Sequence, residues 1–207
     1  MKIVAISDTH DLHKEITIPE CDVLIVAGDF TCHRVPIVYY YEDFNAWLGS
    51  VPAKHKIVVA GNHDTYFERY PNEARELLTN ATYLQDSGIE IDGVKFWGSP
   101  WTPYFNAWAF MEPDPFLKKY WDKIPKDTDV LVTHGPPFGI LDSFDNNNVG
   151  SFSLLNKVTE LDDLKLHFFG HIHESYGKEG KFYNVAQCDG DYNITNKPVM
   201  VEFNKDA

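Results

Sequence analysis

The stretch KIVVAGNHD, at residues 56–64, indicates the fold of this sequence most directly. Residues 56–60 form a mainly apolar run, rich in Val and Ile, that stops at Gly61 and gives way to polar side chains at 62–64. Short β-branched runs that end at small or polar residues are typical of strands buried in a parallel sheet. Residues 56–60 are therefore predicted to form a buried strand that leads into a polar cluster.

Similar runs lie on both sides of this stretch. Runs at 2–7 and 22–27 precede it, and runs at 129–133 and 165–169 follow it. Apolar residues at 35–48 recur at roughly helical spacing, and strand, helix, strand in that order implies a parallel sheet. The other predicted elements are a helix at 71–79 and short strands at 82–85, 89–91, 94–97, 181–185 and 199–203. Together they predict an α/β fold, a two-sheet sandwich flanked by helices.

Length and composition indicate one globular unit. The chain has 207 residues, of which 43% are hydrophobic and 14% aromatic, and this is enough apolar surface to exclude wholesale disorder. We therefore predict a single domain over residues 1–207. The aromatic, Pro-bearing segment at about 99–121 is expected to form an irregular cap, with a helical turn near 116–121.

Charge and cysteine usage exclude several classes of partner. A formal net charge of −13 opposes binding of long nucleic acid. No apolar run reaches the roughly 18 residues of a membrane span, and no signal-peptide cleavage site follows Met1, so we expect no membrane partner. Cys21, Cys32 and Cys188 form no C-x-x-C pair, which suggests neither a disulfide framework nor a thiolate zinc site. A cytoplasmic protein is expected.

Five of the predicted strands end in clusters drawn from Asp, Asn and His. Because ligands gather beyond the carboxyl ends of parallel strands, clusters far apart in sequence can converge on one point. Residues two apart in an extended segment point to the same side, so the Asp8 and His10 pair could touch one ion, and the His171 and His173 pair could do the same. The clusters are Asp8-Thr9-His10, Gly28-Asp29, Gly61-Asn62-His63-Asp64, His134-Gly135 and Gly170-His171-Ile172-His173.

The chemistry of these side chains favours divalent metal ions. Carboxylate and amide oxygens with neutral imidazole nitrogens, and no thiolate, suit manganese first, with iron, zinc, cobalt or nickel as alternatives that affinity alone does not separate. Two such ions carry more positive charge than Asp8 and Asp29 cancel, whereas Asn62 binds without adding charge. The sequence therefore predicts a locally positive trap for a small phosphate ester inside an acidic protein.

The order of these motifs resembles a known family. D-x-H, G-D, G-N-H-D, T-H-G and G-H-x-H, in this order, resemble the calcineurin-like metallophosphoesterase superfamily. Further segments are similar to the small MPPED-type metallophosphoesterase-domain proteins, and the resemblance covers nearly the whole chain. These segments are residues 27–31, 83–87, 99–103, 133–137 and 169–174.

The resemblance implies a fold and a set of metal ligands. The fold would be a four-layer α/β/β/α sandwich of two mixed sheets flanked by helices, the metallo-dependent phosphatase fold. The site would be dinuclear. One metal would be bound by Asp8, His10 and His173, the other by Asn62, His134 and His171, and Asp29 would bridge the two.

It also implies a mechanism. A hydroxide shared by the metals would attack phosphorus in line, since metal binding can lower the pKa of water from 15.7 to roughly 7. His63 would sit just outside the metals and protonate or stabilise the leaving oxygen. Similarity to the MPPED-type group implies a phosphodiesterase for small substrates, with 2′,3′-cyclic nucleotides among them.

Two segments depart from the pattern of that group. Asp64 stands where the group has Glu; it could cap a helix or orient the ring of His63 as a second catalytic residue, and the sequence favours neither. The stretch at 32–34, Cys-His-Arg, is also unusual. Within it, Arg34 is a candidate phosphate-binding residue, although a lone loop arginine is more often solvated.

The aromatic residues of the cap-like segment have two interpretations. They could stack a nucleobase beside the metals, with Trp101 as the candidate substrate-binding residue, or they could form the core beneath a loop, which is commoner. They are Trp101, Tyr104, Phe105, Trp108 and Phe110. Among the remaining histidines, His167 is expected to be a structural residue of a strand, and His13, His33 and His55 surface groups.

Two other functions stay open at this stage. A phosphomonoesterase would use the same metals, and the motifs do not separate it from a phosphodiesterase. A non-catalytic scaffold is the alternative from another class, since the retromer subunit of this fold binds partners; here, however, every metal-ligand position and His63 are present. The charge of −13 and the lack of a further DNA-binding domain argue against a DNA nuclease. The oligomeric state stays open.

Overall fold

A computed structural model describes residues 1–204 of the chain. The helices are α1 (Val38–Ser50), α2 (Thr65–Arg69), α3 (Pro71–Leu77), α4 (Asp114–Trp121) and α5 (Phe152–Thr159). The strands are β1 (Lys2–Ile6), β2 (Cys21–Ala27), β3 (Ala53–Val59), β4 (Thr82–Tyr83), β5 (Ser87–Ile91), β6 (Val94–Ser99), β7 (Thr102–Pro103), β8 (Met111–Glu112), β9 (Val130–Thr133), β10 (Ser143–Phe144), β11 (Asn147–Asn148), β12 (Leu166–Phe169), β13 (Gly177–Glu179), β14 (Phe182–Asn184) and β15 (Val199–Glu202).

Two mixed sheets carry the fold. The first has the strand order β15-β1-β2-β3-β4, in which β1 to β4 run parallel and β15 pairs antiparallel with β1. The second has the order β13-β14-β12-β9-β6-β5, with its four central strands parallel and its two edge strands antiparallel. Parallel central strands need crossover connections, and these place helices on the outer faces.

Three apolar cores separate four layers. Side chains of β1 and β2 alternate between two of them: Ile3 and Val23 face the second sheet, whereas Val4 and Leu24 face the helices. The core between the first sheet and its helices includes Tyr41, Phe44, Phe67 and Ala74. The core between the second sheet and α4 and α5 includes Leu117, Trp121, Leu131, Leu154 and Val158. The predicted α/β/β/α sandwich of two mixed sheets is thus confirmed.

Several predicted elements differ in extent. The helix predicted at 35–48 begins at Val38, after Pro36, and continues to Ser50. Helix α5 was not predicted; the Oγ of Ser151 accepts a hydrogen bond from the Leu154 amide at 3.0 Å and caps its first turn. Helix α2 was also missed, because its five residues are too few to show a helical period.

The segment at 99–121 is more ordered than expected. It contains the short parallel pair of β7 and β8, and helix α4 begins at Asp114, directly after Pro113. Within residues 1–204 no helix combines the length and apolar character needed to cross a bilayer; the longest, α1, has 13 residues.

The carboxyl ends of the parallel strands of both sheets meet at one rim. Beyond β1, Ser7 forms a parallel bridge with Ala186, and the Ser7 amide donates to the Val185 carbonyl at 2.9 Å. Beyond β9 and β12, the Gly170 amide donates to the His134 carbonyl at 2.9 Å. The Ser7 bonds join the loops of the two sheets, and the Gly170 bond joins two loops of the second sheet, so the polar clusters come together at the rim.

Candidate active site

The loops after β1 and β2 run side by side at this rim. The Asp8 amide donates to the Gly28 carbonyl at 2.9 Å, and the His10 amide donates to the Asp29 carbonyl at 3.0 Å. Asp8, His10 and Asp29 are all buried, at 0%, 4% and 2% exposure. Their side chains are therefore presented from a hydrogen-bonded backbone rather than from free loops.

The backbone at these positions is strained. Asp8, His10, Asp29 and His171 have φ angles of 53°, 43°, 51° and 69°, in the left-handed region that residues with a Cβ rarely adopt. Such residues cost of order 1–3 kcal/mol each and cluster at functional sites. The surrounding hydrogen bonds and packing offset this cost, which supports a functional role for the rim.

One set of donor atoms comes from Asp8, His10 and His173. The Nε2 atoms of the two histidines lie 3.2 Å apart, and the Nε2 of His173 lies 3.4 Å from Asp8 Oδ1. Asp8 Oδ2 accepts a hydrogen bond from the His171 amide at 2.9 Å, whereas buried Asp8 Oδ1 has no hydrogen-bond partner among residues 1–204. An orphaned carboxylate oxygen facing two imidazole nitrogens is suited to a cation.

A second set comes from Asp29, His134 and His171. His134 Nε2 lies 3.4 Å from Asp29 Oδ2 and 2.9 Å from Asn62 Oδ1. The rings of His134 and His171 have centroids 4.9 Å apart. The structure thus brings together all seven residues that the sequence offered as metal ligands, in two neighbouring sets.

Hydrogen bonds on the far side of two rings fix which nitrogen faces the site. The Nδ1–H of His134 donates to the Ala27 carbonyl at 2.9 Å, and the Nδ1–H of His173 donates to the Asp189 carbonyl at 2.8 Å. Each neutral ring therefore directs its Nε2 lone pair into the site, as metal-binding histidines do. At His134 that lone pair faces the Asn62 carbonyl oxygen at 2.9 Å, and a proton or a metal ion between the two atoms would relieve their repulsion.

The pKa values of the site histidines and of Asp8 also indicate that the site favours positive charge. Burial alone would lower the pKa of both His134 and His173, but Asp29 and Asp8, respectively, raise each to about 9. Burial lowers the pKa of His10 to about 4 and that of His171 to about 3. Burial would raise the pKa of Asp8, but the neighbouring His173 lowers it to about 2. Divalent ions would replace the protons on His134 and His173, so the residues fit a pair of metals.

Two glycines let the carboxylates approach the loops of neighbouring strands. A Cβ at Gly170 would overlap Asp8 Oδ2, and one at Gly61 would overlap Asp29 Oδ1. Any larger residue would push a carboxylate out of its donor set. The glycines of the G-H-x-H and G-N-H-D motifs therefore provide space at the site.

His63 lies beside both sets without belonging to either. Its amide donates to Asp29 Oδ1 at 2.7 Å, and its Nε2 lies 3.9 Å from Asp29 Oδ2. Its ring is 4.2 Å from the Trp108 ring, over which the Arg34 guanidinium stacks at 4.1 Å. Arg34 is thus close to the site, held on an aromatic face.

Asp64 does not cap a helix, and its hydrogen bonds go to backbone amides and to Thr31 rather than to the ring of His63. It precedes α2, but its side chain makes no capping hydrogen bond. Instead Oδ2 accepts from the amides of Asp29 and Gly61, at 2.9 and 2.7 Å, and Oδ1 accepts from the amide and hydroxyl of Thr31, at 3.0 and 2.9 Å. With all these acceptor sites used, the carboxylate fixes the loop after β2 to the loop after β3 and so positions Asp29 and His63.

A cavity of about 560 Å³ opens onto the donor sets. Three aromatic rings on its lining lie against site histidines: Trp108 against His63, Phe105 5.4 Å from His171, and Tyr192 4.6 Å from His10. Other lining residues are Asp29, Asn62, Pro103, Tyr104, Phe144, Val149, Ile172, His173, Glu174 and Gly190. Tyr192 was not singled out from the sequence, where it is one tyrosine in a polar loop.

The aromatic residues of the cap-like segment divide between the two interpretations. Tyr104, Phe105 and Trp108 line the cavity. Phe110 is buried at 1% exposure, and Trp101 stacks on Tyr120 at 3.9 Å and donates from Nε1 to Asp86 at 3.1 Å. The structure therefore does not bring Trp101, the residue offered for substrate binding, to the cavity.

Comparison with known proteins agrees with this geometry. The family model for calcineurin-like phosphoesterases matches residues 1–175. The chain belongs to the calcineurin-like phosphoesterase family. The phosphoesterase is 39% identical to human metallophosphoesterase domain-containing protein 1, over 97% of this chain and 70% of that protein. It is 37% identical to a Caenorhabditis elegans UPF0046 protein, over 97% of this chain and 74% of the other.

These matches confirm the resemblance seen in the motifs. The chain is a metal-dependent phosphoesterase, and the family implies divalent metal ions. A solved archaeal phosphodiesterase aligns with 97% of this chain and all of its own, at 16% identity and a TM-score of 0.46, which is too distant to inform the substrate.

The remaining histidines of the phosphoesterase lie away from the donor sets. His167 is buried in β12, with Nε2 2.8 Å from the Thr133 hydroxyl, as expected of a structural residue. His13 is buried at 1% exposure beside Phe44, so its assignment to the surface is wrong. His33 is half-buried and His55 exposed.

Proposed function

We propose that this phosphoesterase is a dinuclear, metal-dependent phosphodiesterase that hydrolyses small phosphodiesters, cyclic nucleotides among them and 2′,3′-cyclic ones in particular. The observation that carries the proposal is the pair of neighbouring donor sets on a cavity lined by aromatic rings. Divalent ions held by the donor sets would bind the phosphate, and aromatic faces would bind a base.

The proposed metal ligands divide between two ions. Asp8, His10 and His173 would hold one ion, and Asn62, His134 and His171 the other, with Asp29 between them and manganese as the first candidate metal. When bound, the two ions supply water of lowered pKa for in-line attack on phosphorus and positive charge for the phosphoryl oxygens.

His63 is the proton donor of the proposal. It lies on the cavity lining, and a hydrogen bond from its amide to Asp29 fixes it beside the donor sets. An alkoxide is a poor leaving group until it is protonated. Proton donation by a positioned imidazole therefore raises the rate by a factor on the order of 10²–10⁴. Asp64 acts through the backbone of its neighbours and is a positioning residue.

The charge of the lining favours a diester over a monoester. Among the lining residues in the described part of the chain none is Lys or Arg, and Glu174 adds negative charge. A monoester dianion would depend on the metals alone for neutralisation, whereas a diester carries a single negative charge. Local electrostatics thus favours the phosphodiester.

The aromatic lining supports a nucleotide as the alcohol part. Trp108 and Tyr192 present rings on the same cavity as His63 and His173, and base–aromatic stacking is worth about 1–3 kcal/mol. Arg34, stacked on Trp108, would support that ring from outside the cavity lining. Trp108, Tyr192 and Arg34 are therefore proposed as substrate-binding residues in place of Trp101, which was predicted from the sequence.

Relative rates on matched substrates test the function. With manganese present, kcat/KM for a 2′,3′-cyclic nucleotide and an aryl phosphodiester should exceed that for the corresponding monoesters by at least about tenfold. The reverse order would identify a phosphomonoesterase. No hydrolysis of either class by metal-loaded protein would instead support the scaffold alternative.

Substitution of Trp108 tests the nucleotide part separately. Trp108→Ala should raise KM for the cyclic nucleotide roughly ten- to hundredfold, because the stacking surface is lost, and Trp108→Phe should restore most of the affinity. Phe116, an aromatic residue on the surface at 63% exposure, gives the matched control Phe116→Ala. An unchanged KM in Trp108→Ala would contradict base stacking on this ring.

A further inference from the structure

A third cluster of metal-ligating side chains lies beside the two donor sets. It consists of Cys32, His10 and His63, whose ligand atoms all lie within 4.8 Å of one another. Cysteine spacing along the chain indicates no thiolate site, because the other two donors come from the loops after β1 and β3. The fold, rather than a local motif, brings the three together.

The backbone fixes Cys32 next to His10. The Asp11 amide donates to the Phe30 carbonyl at 3.1 Å, and the Cys32 amide donates to Asp11 Oδ2 at 3.1 Å. These two hydrogen bonds continue the pairing of the loops after β1 and β2 as far as Asp11 and Cys32. The thiol is therefore held at the edge of the active site.

The two histidines of the cluster have unused nitrogen atoms. His10 and His63 are 4% and 7% exposed, and their buried Nδ1 atoms have no hydrogen-bond partner within the described range 1–204. The Nε2 of His10 is directed at His173, which leaves Nδ1 as its free ligand atom. Unpaired polar atoms in a buried site are costly, and a bound cation would satisfy both.

The donor types select the class of ion. One thiolate and two imidazoles suit zinc and other thiophilic divalent ions, whereas the sets beside them contain carboxylate and amide oxygens but no thiolate and suit manganese. Burial and the nearby carboxylates of Asp11 and Asp29 raise the pKa of the Cys32 thiol. The free thiol is therefore a poor nucleophile, but a coordinated thiol is deprotonated outright.

We propose that Cys32, His10 and His63 form an inhibitory site for a thiophilic divalent cation, of which zinc is the physiological example. On binding, the Cys32 thiol releases its proton to solvent and forms the sulfur–metal bond, and the two neutral imidazoles donate lone pairs. The fourth position of the tetrahedron is open to water.

Inhibition follows from the shared residues, and this part rests on the proposed function. The ion binds the imidazole of His63, and the bound ring no longer donates a proton to the leaving group. It also takes the single lone pair of neutral His10, which then no longer serves the set with Asp8 and His173. One ion therefore blocks both the proton donor and the loading of a catalytic metal.

Absorption spectroscopy with cobalt(II) tests the site without any substrate. A thiolate–cobalt bond gives a near-ultraviolet charge-transfer band, which the oxygen and nitrogen donors of the other two sets do not. The band should appear in the wild type and in the controls Cys21→Ala and Cys188→Ala, and be absent from Cys32→Ala and from the near-isosteric Cys32→Ser. A band that persists in both Cys32 variants, or one that follows Cys188, would overturn the proposal.

Zinc inhibition provides the second readout. The zinc concentration that halves the turnover of manganese-loaded enzyme should rise at least about tenfold in Cys32→Ala, with basal turnover retained. Equal zinc sensitivity in the wild type and Cys32→Ala would refute the inhibitory role. A cobalt band that follows Cys32 in a protein inactive on all phosphodiesters would instead refute the proposed function and leave the binding site standing.

Discussion

Asp29→Ala is expected to lose dinuclear metal loading and to lower kcat/KM by on the order of 10³-fold or more, the equivalent of several kcal/mol of transition-state stabilisation. Asp29 Oδ2 lies 3.4 Å from His134 Nε2, and Asp29 Oδ1 accepts a hydrogen bond from the His63 amide. Removal of the carboxylate therefore removes the proposed bridge, the negative charge that favours cations, and an anchor of the proton donor. Metal content per chain and steady-state kinetics measure the effect.

The control for this variant is an exposed carboxylate. Asp163→Ala should bind two metals per chain and keep its turnover, because Asp163 is exposed and belongs to none of the donor sets. Asp29→Asn keeps the shape and removes only the charge, so it should fold like the wild type and still lose the second ion. Two bound metals and normal turnover in Asp29→Ala would contradict the bridge.

The placement of the metal-ligand candidates could be predicted from sequence because it depends on topology. Runs such as 56–60 end in polar residues, and parallel strands carry their carboxyl ends to one rim. The rim is then fixed by backbone bonds, such as that from the Asp8 amide to the Gly28 carbonyl. Position along the chain was therefore enough to bring the clusters together.

The cavity lining could not be predicted in the same way. Trp101 and Trp108 lie seven residues apart in one aromatic segment, yet Trp101 packs on Tyr120 and Trp108 reaches His63. What separates them is the path of an irregular loop, with Phe110 at a φ of 52°. Such a path depends on packing with distant elements and leaves no periodic signal. Tyr192 was missed for the same reason.

Asp64 and Cys32 show a further limit. Asp64 accepts hydrogen bonds from the loops after β2 and β3, and the ligand partners of Cys32 come from the loops after β1 and β3. Local rules predict caps and turns within a few residues of a side chain, so they left Asp64 between a helix cap and the orientation of its neighbour His63, and they indicated no metal site for Cys32. Contacts across loops become visible only when the fold is known.

His63→Ala is expected to separate chemistry from metal binding. His63 belongs to neither of the two donor sets assigned to the catalytic metals, so the variant should retain both ions. Its turnover of a 2′,3′-cyclic nucleotide should fall on the order of 10²–10⁴-fold, because the ribose oxygen then leaves without a proton. Metal content and kcat on the same preparation measure both effects, and His55→Ala, at an exposed histidine, serves as the control.

The choice of leaving group decides between proton donation and simple positioning by His63. Nitrophenolate leaves readily as an anion, so a variant that lacks only a general acid should lose far less activity on a nitrophenyl diester than on the cyclic nucleotide. If His63 only shapes the site, its removal should lower the turnover of both substrates by the same factor. An equal loss on both substrates would therefore remove His63 from the chemical step, and loss of a metal in His63→Ala would place it among the ligands instead.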